Sequence, residues 1–274
     1  MDAKKFEERL KAGKVDFHPV VPFTQTDTFL LLDFTANNTV LTPEILSNTL
    51  LFSEYVERQL QHAGATYGIG GYNEHRTIYQ RSPVFDTTLP DLPKGEEARA
   101  KGPLDENTNN SSNLSNQKDS TNPSSPFGGQ GVEPRRLHLG LDIWGPVDTP
   151  IYAPLAGTVH SVGFNDAYGD YGATLILQHE IAGMLFHTLY GHLSLKSIQD
   201  KQEGQEIEKG AWIASFGDIA ENGNWPPHLH FQVVLDMQGM KGDYPGVCRF
   251  SEREHYLMNC PDPDIIVDLN KFIT

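Results

Sequence analysis

Two histidines separated by one residue, His228 and His230, lie in a stretch where apolar and polar residues alternate. The apolar residues occupy every second position over 229–235, and this period predicts a β-strand whose opposite face carries both imidazoles. The Pro226-Pro227 pair just upstream restricts the backbone that enters the strand. Imidazoles on one strand face can direct two nitrogens at one point, and that point could hold a metal ion.

A histidine and an aspartate four residues apart, His138 and Asp142, form a second candidate pair. Alternation over 137–143 predicts another strand, with His138, Gly140 and Asp142 on one face. In a flat strand the outer two side chains would lie about 13 Å apart, so sharing one ion requires a bend or a bulge. Gly140 gives the backbone the freedom for that distortion.

Either pair alone is common in strands with a polar face, but their combination points to a particular chemistry. His138, Asp142 and His230 together offer two nitrogens and one carboxylate. That is the ligand set of a catalytic zinc site that keeps one position open for water. A structural zinc site needs four ligands, usually with closely spaced cysteines, and Cys248 and Cys260 lack that spacing.

Residues 135–236 resemble the lysostaphin-like, LytM-type zinc metalloendopeptidases. The shared blocks occur in the family's order and lie at 138–142 with its continuation at 149–159, at 188–194 and at 228–231. The resemblance implies a zinc-dependent hydrolase of peptide bonds, with peptidoglycan cross-bridges or stem peptides as its substrate. For the fold, it implies a sheet of the duplicated-hybrid-motif type.

The resemblance also assigns roles to five residues. It implies a single zinc ion per chain, with His138, Asp142 and His230 as its ligands. His192 and His228 match the two histidines that flank the metal and are credited with proton transfer or transition-state stabilisation. This role suits imidazole, which titrates near neutral pH and can both take and return a proton.

The chain departs from the family pattern at two places. Family members usually have a Ser-Thr-Gly lead-in to the last block and a Glu after it, whereas this chain has 222–227 (Asn-Gly-Asn-Trp-Pro-Pro) and Gln232. Both departures spare the five site residues and bear on substrate preference. The other histidines are interpreted as packing or surface residues: His18, His62, His75, His160, His179, His187 and His255.

Other classes of function stay open. One is a metal-binding but inactive scaffold, and another is a hydrolase of an intracellular peptide or amide. A third is a lipoyl- or biotinyl-like carrier, which residues 153–159 and 207–213 resemble. Such carriers modify a lysine on an exposed hairpin, and the only lysines between these stretches are Lys196 and Lys201. The carrier hypothesis leaves the five histidine and aspartate positions unexplained.

The elements that must position these residues differ between the two ends of the chain. Short strands separated by Gly, Asn and Pro turns predict a mainly β domain over 135–274, an antiparallel barrel or sandwich. Its strands are predicted at 137–143, 157–162, 173–179, 184–189, 211–216 and 228–235. Residues 1–93 predict an α+β region with a helix at 2–12, a buried strand at 29–34 and a helix from the Thr42 N-cap to Gly64.

Two polar segments connect these regions. Residues 94–134 contain almost no large apolar side chain, which predicts a linker of low complexity. The segment Tyr72–Phe85 is rich in Asn, Glu, His and Arg. It is expected either to fold against the cleft as a substrate wall or an occluding plug, or to be a polar loop that leads into the next domain.

Composition limits the partners and the compartment. The net charge of −15 disfavours nucleic acid and anionic membranes as partners. No apolar run reaches membrane-spanning length, and the charged first residues do not form a signal peptide, so the chain as written is expected in the cytoplasm. A leader missing from this sequence would instead permit export. Cys248 and Cys260 are expected to be free thiols, and the sequence leaves the oligomeric state open.

Overall fold

The computed structural model describes residues 1–86, 133–269 and 272. The strands are β1 (Phe29–Leu31), β2 (Tyr67–Gly70), β3 (Leu137–His138), β4 (Leu141–Trp144), β5 (Pro150–Tyr152), β6 (Gly157–Asn165), β7 (Gly172–Ile181), β8 (Met184–Leu193), β9 (Glu206–Ile207), β10 (Trp212–Ser215), β11 (His228–Val234) and β12 (Val247–Cys248). The α-helices are α1 (Ala3–Gly13), α2 (Pro43–Ser47), α3 (Thr49–Ala63), α4 (Leu195–Gln199), α5 (Arg253–Asn259) and α6 (Asp264–Val267). Short 3₁₀ helices cover Ile78–Arg81, Pro83–Asp86 and Phe250–Glu252.

One eight-stranded sheet dominates the structure. Its strands follow the order β1-β2-β4-β11-β8-β7-β6-β9, while β10 pairs with β5 and β12 with β3 in two small sheets. Among these pairs only β1 and β2 run parallel. The predicted fold class, a mainly β C-terminal half with an α+β N-terminal region, is confirmed. In the described residues the large sheet has β1 and β9 at its two ends.

The N-terminal region contributes directly to this sheet. Strand β2 pairs with β4 so that Gly70 lies opposite Asp142, and β1 adds to the outer side of β2. The sheet therefore joins residues from both predicted domains. The division at residues 94–134 stays a prediction, because all but the last two residues of that segment lie outside the part of the chain described.

Local interactions interrupt two of the predicted elements. The single helix predicted from Thr42 to Gly64 is divided into α2 and α3, because Asn48 has extended backbone angles and its side chain accepts hydrogen bonds from the first backbone N–H groups of α3. The predicted strand 137–143 is divided into β3 and β4, and the interruption between them contains Gly140. This is the distortion that the spacing of His138 and Asp142 requires.

The N-terminal strand is also shorter than predicted. Strand β1 covers three residues rather than 29–34, and Leu31 is 65% exposed, so the prediction of a buried strand is wrong at this end. Among the strands described, β1 lies at the edge of the sheet and has a neighbour on one side only. The apolar run FLLLDF therefore does not require burial on both faces.

Aromatic packing joins the N-terminal helices to the centre of the sheet. The ring of Phe52 in α3 lies 6.1 Å from Trp144 of β4 and 6.2 Å from Trp225. In a different buried cluster, the ring of Phe6 in α1 lies 4.9 Å from that of Phe186 in β8. Among the residues described, no helix has the length and apolar character needed to cross a membrane.

Candidate metal centre

Three side chains from β3, β4 and β11 converge at the middle of the sheet. His138 Nε2 lies 3.0 Å from His230 Nδ1 and 3.2 Å from Asp142 Oδ1, and His230 Nδ1 lies 3.1 Å from the same oxygen. Strand register explains the pairing of Asp142 with His230, which are directly opposite each other in β4 and β11. The three residues are at most 3% exposed, and they form the group of possible metal ligands found among the residues described.

Hydrogen bonds behind the two histidines determine which ring nitrogens carry hydrogen. His138 Nδ1 lies 2.9 Å from the Gly71 carbonyl oxygen, which can only accept, so this nitrogen is the donor. His230 Nε2 lies 2.9 Å from Gln232 Oε1, and the Gln232 amide nitrogen donates to the Pro245 carbonyl, which fixes the orientation of the amide. In the neutral rings the inward nitrogens of both histidines therefore present lone pairs.

The donor set fits a zinc ion. Two lone pairs and a carboxylate oxygen point at each other with no hydrogen between them, and a metal cation would satisfy all three. Zinc bonds of about 2.0–2.1 Å in tetrahedral geometry separate ligands by about 3.3 Å, close to the distances observed here. Burial and the Arg76 charge lower the pKa of His138 to about 3, so this ring supplies no proton at neutral pH.

Asp142 stays ionised in spite of its burial. Desolvation alone would raise the pKa of its carboxyl group, but the positive charge of the neighbouring Arg76 guanidinium holds it well below its usual range. The group therefore offers a full negative charge to a cation at neutral pH.

Gly140 allows this close approach. A Cβ atom added there would lie 2.5 Å from both Cε1 and Nε2 of His230 and 2.9 Å from the Phe231 carbonyl oxygen. The imidazole of His230 thus occupies the space that a side chain at position 140 would need. The glycine both interrupts the strand and makes room for the ring.

His192 and His228 lie together beside this cluster. Their ring centroids are 4.1 Å apart, and the His228 ring stacks on Trp144 at 3.8 Å. Each ring donates from Nδ1 to a backbone carbonyl oxygen, His192 to Asn222 and His228 to Pro226, both at 2.8 Å. The Nε2 atom of each ring is left as a hydrogen-bond acceptor. His192 has a φ of 61°, an uncommon left-handed conformation for a residue with a side chain.

Burial keeps both of these histidines neutral. It lowers the pKa of His228 to about 4, and burial together with the neighbouring His228 lowers the pKa of His192 well below its usual value. At neutral pH each ring is therefore neutral and carries a hydrogen on Nδ1 alone. Its Nε2 can accept a proton.

A cavity of about 460 Å³ opens onto these residues. Asp142, His192, His228 and His230 line its floor. The N-terminal segment contributes Ile78, Tyr79, Pro83, Val84 and Phe85 to its lining, and residues 243–247 line it as well. The segment Tyr72–Phe85 thus borders the cleft, as expected, although its role as wall or plug stays a prediction.

Sequence reasoning missed three contributors to this site. Arg76 contacts Asp142, the backbone of Gly71 orients His138, and the backbone of Asn222 orients His192. Asn222 is fully buried. The glycine- and charge-rich composition of residues 68–85 was the feature of the sequence that could have pointed to Arg76 and Gly71.

The lysines of the carrier hypothesis are not on a hairpin. Lys196 lies in α4, and Lys201 lies just after this helix with its ammonium 5.5 Å from the Trp212 ring centroid. Of the histidines interpreted as packing residues, His179 and His187 are hydrogen-bonded within the sheet to Thr188 and Val234. The metal-capable cluster contains neither of these two histidines.

Comparisons with known proteins match the C-terminal part of the chain. Residues 136–241 match the model described as peptidase family M23. A protein of Haemophilus influenzae described as an uncharacterized metalloprotease is 33% identical over 101 residues, which are 37% of this chain and 19% of that protein. The chain thus spans about a fifth of the length of this curated relative.

Solved structures of bacterial peptidases show partial similarity. A putative peptidase M23 from Pseudomonas aeruginosa is 25% identical, covers 47% of this chain and 43% of its own, and has a TM-score of 0.31. A zinc-containing peptidase from Vibrio cholerae is 30% identical, with coverages of 40% and 32% and a TM-score of 0.29. Lysostaphin from Staphylococcus simulans is 24% identical, with coverages of 48% and 44% and a TM-score of 0.33.

Proposed function

We propose that the chain is a zinc-dependent metalloendopeptidase, on the premise that residues 136–241 match the model of peptidase family M23. His138, Asp142 and His230 would hold a single zinc ion. The substrate would be a peptide link of the kind present in peptidoglycan cross-bridges or stem peptides. The observation that carries this proposal is the convergence of three buried acceptor atoms, separated by 3.0–3.2 Å, on one point.

The residues around the cluster suit peptide hydrolysis. When bound, zinc supplies Lewis acidity that polarises a peptide carbonyl and acidifies water. His192 and His228 are neutral and oriented by backbone carbonyls, and the free Nε2 of each can accept a proton and return it to the leaving amine. Trp144 fixes the plane of the His228 ring by stacking, and apolar side chains form much of the cavity lining.

Metal analysis combined with hydrolysis assays tests this function. The wild type should contain zinc and release fragments from purified peptidoglycan or from glycine-rich or D-alanyl peptides. His230→Ala should lose both zinc and activity, because a ligand is removed. His192→Ala should retain zinc and lose at least about 100-fold in rate, the usual size of a general acid-base contribution. His62→Ala, on the exposed face of α3, is the matched control and should match the wild type.

The same assays separate the alternatives. Cleavage of free peptides but not of peptidoglycan would favour a hydrolase of intracellular peptides. Bound zinc without turnover of any of these substrates, together with no change in His192→Ala, would favour the inactive scaffold. A wild type without zinc would refute the proposed function.

A further inference from the structure

Arg76 is a fully buried arginine beside the metal cluster. Its Nη1 donates to Asp142 Oδ2 at 2.5 Å, its Nε donates to Glu74 Oε2 at 2.8 Å, and its Nη2 donates to the Gly71 carbonyl at 2.8 Å. The guanidinium also lies over the Phe34 ring, 5.5 Å from its centroid. All of these partners hold the plane of the guanidinium in one orientation.

The two oxygens of Asp142 have separate partners. Oδ1 faces His138 and His230, whereas Oδ2 is bound by Arg76. A carboxylate without this arginine could rotate about its last bond and present either oxygen, or both, to a cation. Arg76 therefore selects the oxygen that completes the cluster.

The segment that carries Arg76 also orients a second member of the cluster. The Gly71 carbonyl accepts hydrogen from His138 Nδ1, and the same oxygen accepts hydrogen from Arg76 Nη2. Gly70, opposite Asp142 in the sheet, lets this segment approach closely, since a Cβ there would lie 2.8 Å from Arg76 Nη2. The end of β2 and the loop after it therefore support both Asp142 and His138.

A positive charge next to a cation site also has an unfavourable effect. Arg76 repels a bound metal, but Glu74 is paired with the same guanidinium and offsets its charge locally. Hydrogen-bonding partners of metal ligands typically contribute 10- to 100-fold to metal affinity. Because Glu74 offsets the repulsion, we expect Arg76 to affect metal affinity more by orienting Asp142 than by repelling the metal.

From these contacts we propose that Arg76 is a positioning residue of the metal centre, and that residues 70–76 of the N-terminal region are part of this centre rather than a removable plug. The proposal rests on the proposed zinc-dependent function. It assigns to Arg76 a role in zinc affinity that acts through Asp142.

Zinc affinity of Arg76 variants tests the proposal. Zinc dissociation constants of the purified full chain are measured by competition with a chromogenic chelator for the wild type, Arg76→Lys and Arg76→Met. We expect binding about 10- to 100-fold weaker in both variants. Arg76→Lys keeps the charge and serves if Arg76→Met does not fold. In both variants the visible spectrum of the cobalt-substituted protein should differ from that of the wild type, because Arg76 no longer fixes which oxygen of Asp142 coordinates the metal.

Arg81→Met is the matched control. Arg81 is also buried, belongs to the same N-terminal segment and packs over Trp225 at 4.3 Å, but it touches none of the three proposed ligands. This variant should lose stability and keep the zinc affinity of the wild type within about threefold. Wild-type zinc affinity in folded Arg76 variants, or an equal loss in Arg81→Met, would overturn the proposal. A wild type that binds no zinc would refute the proposed function itself.

Discussion

Replacing Gly140 with alanine should damage the metal centre in a way that can be calculated from the structure. The new Cβ would lie 2.5 Å from the His230 ring, and ordinary contact begins at 3.4 Å, so the ring must move by about 0.9 Å. Metal ligands tolerate displacements of about 0.2 Å. The Phe231 carbonyl oxygen, at 2.9 Å, restricts relaxation of the backbone as well.

We therefore expect two separate effects in Gly140→Ala. Zinc affinity should fall by at least about 100-fold. The substitution displaces the ligand His230 itself, which should cost more affinity than the loss of a residue that only hydrogen-bonds to a ligand. The free energy of unfolding of the metal-free protein should fall by about 1–3 kcal/mol, the usual cost of overpacking. Competition with a chelator gives the first quantity, and denaturant unfolding with the metal removed gives the second.

Gly13→Ala provides the control for this experiment. A Cβ at this position meets only Val15 at 3.6 Å, an ordinary contact, and the site lies at the end of α1. This variant should bind zinc like the wild type. The reasoning about Gly140 is refuted if Gly140→Ala binds zinc with wild-type affinity and unfolds within about 0.5 kcal/mol of the wild type.

Three further predictions concern other parts of the molecule. Gln232→Leu removes the acceptor of His230 Nε2–H, so a chelator competition should show zinc binding about 10- to 100-fold weaker, and unchanged binding would contradict the tautomer assignment. Burial and Asp243 raise the pKa of Asp170 to about 6, so its ionisation destabilises the fold as pH rises from about 4 to above 6. The free energy of unfolding of Asp170→Asn should therefore exceed that of the wild type by about 1–3 kcal/mol at pH 7, and the two should be equal at pH 4. Asn48→Ala removes the N-cap of α3 and should lower the free energy of unfolding by about 1 kcal/mol without changing zinc affinity, whereas a change below about 0.2 kcal/mol would mean that the cap contributes nothing.

Strand periodicity was sufficient to predict each of the two motifs that supply the three acceptor residues. Alternation placed His228 and His230 on one face of β11, and the four-residue spacing of His138 and Asp142 required the interruption that occurs at Gly140. These are local patterns that depend on the two-residue period of a strand. Periodicity does not specify the pairing of β4 with β11, which brings the two motifs into contact.

The contribution of the N-terminal region could not be predicted in the same way. Arg76 reaches Asp142 because β2 pairs with β4, and no periodic pattern in a single sequence specifies which strands become neighbours. The break at Asn48 was missed for a different reason. Its side-chain hydrogen bonds to the backbone compete with continuation of the helix, although the apolar stripe runs on past it.

The presence of a proposed ligand and a proposed base on the same strand has a mechanical consequence. His228 and His230 are two residues apart on β11, which is hydrogen-bonded to β4 and β8. Their separation is therefore fixed by the repeat of the strand and does not depend on how the loops around the cleft are arranged. Segments bordering the cavity can differ in shape or sequence, and so admit different ligands, while the spacing between these two imidazoles is preserved.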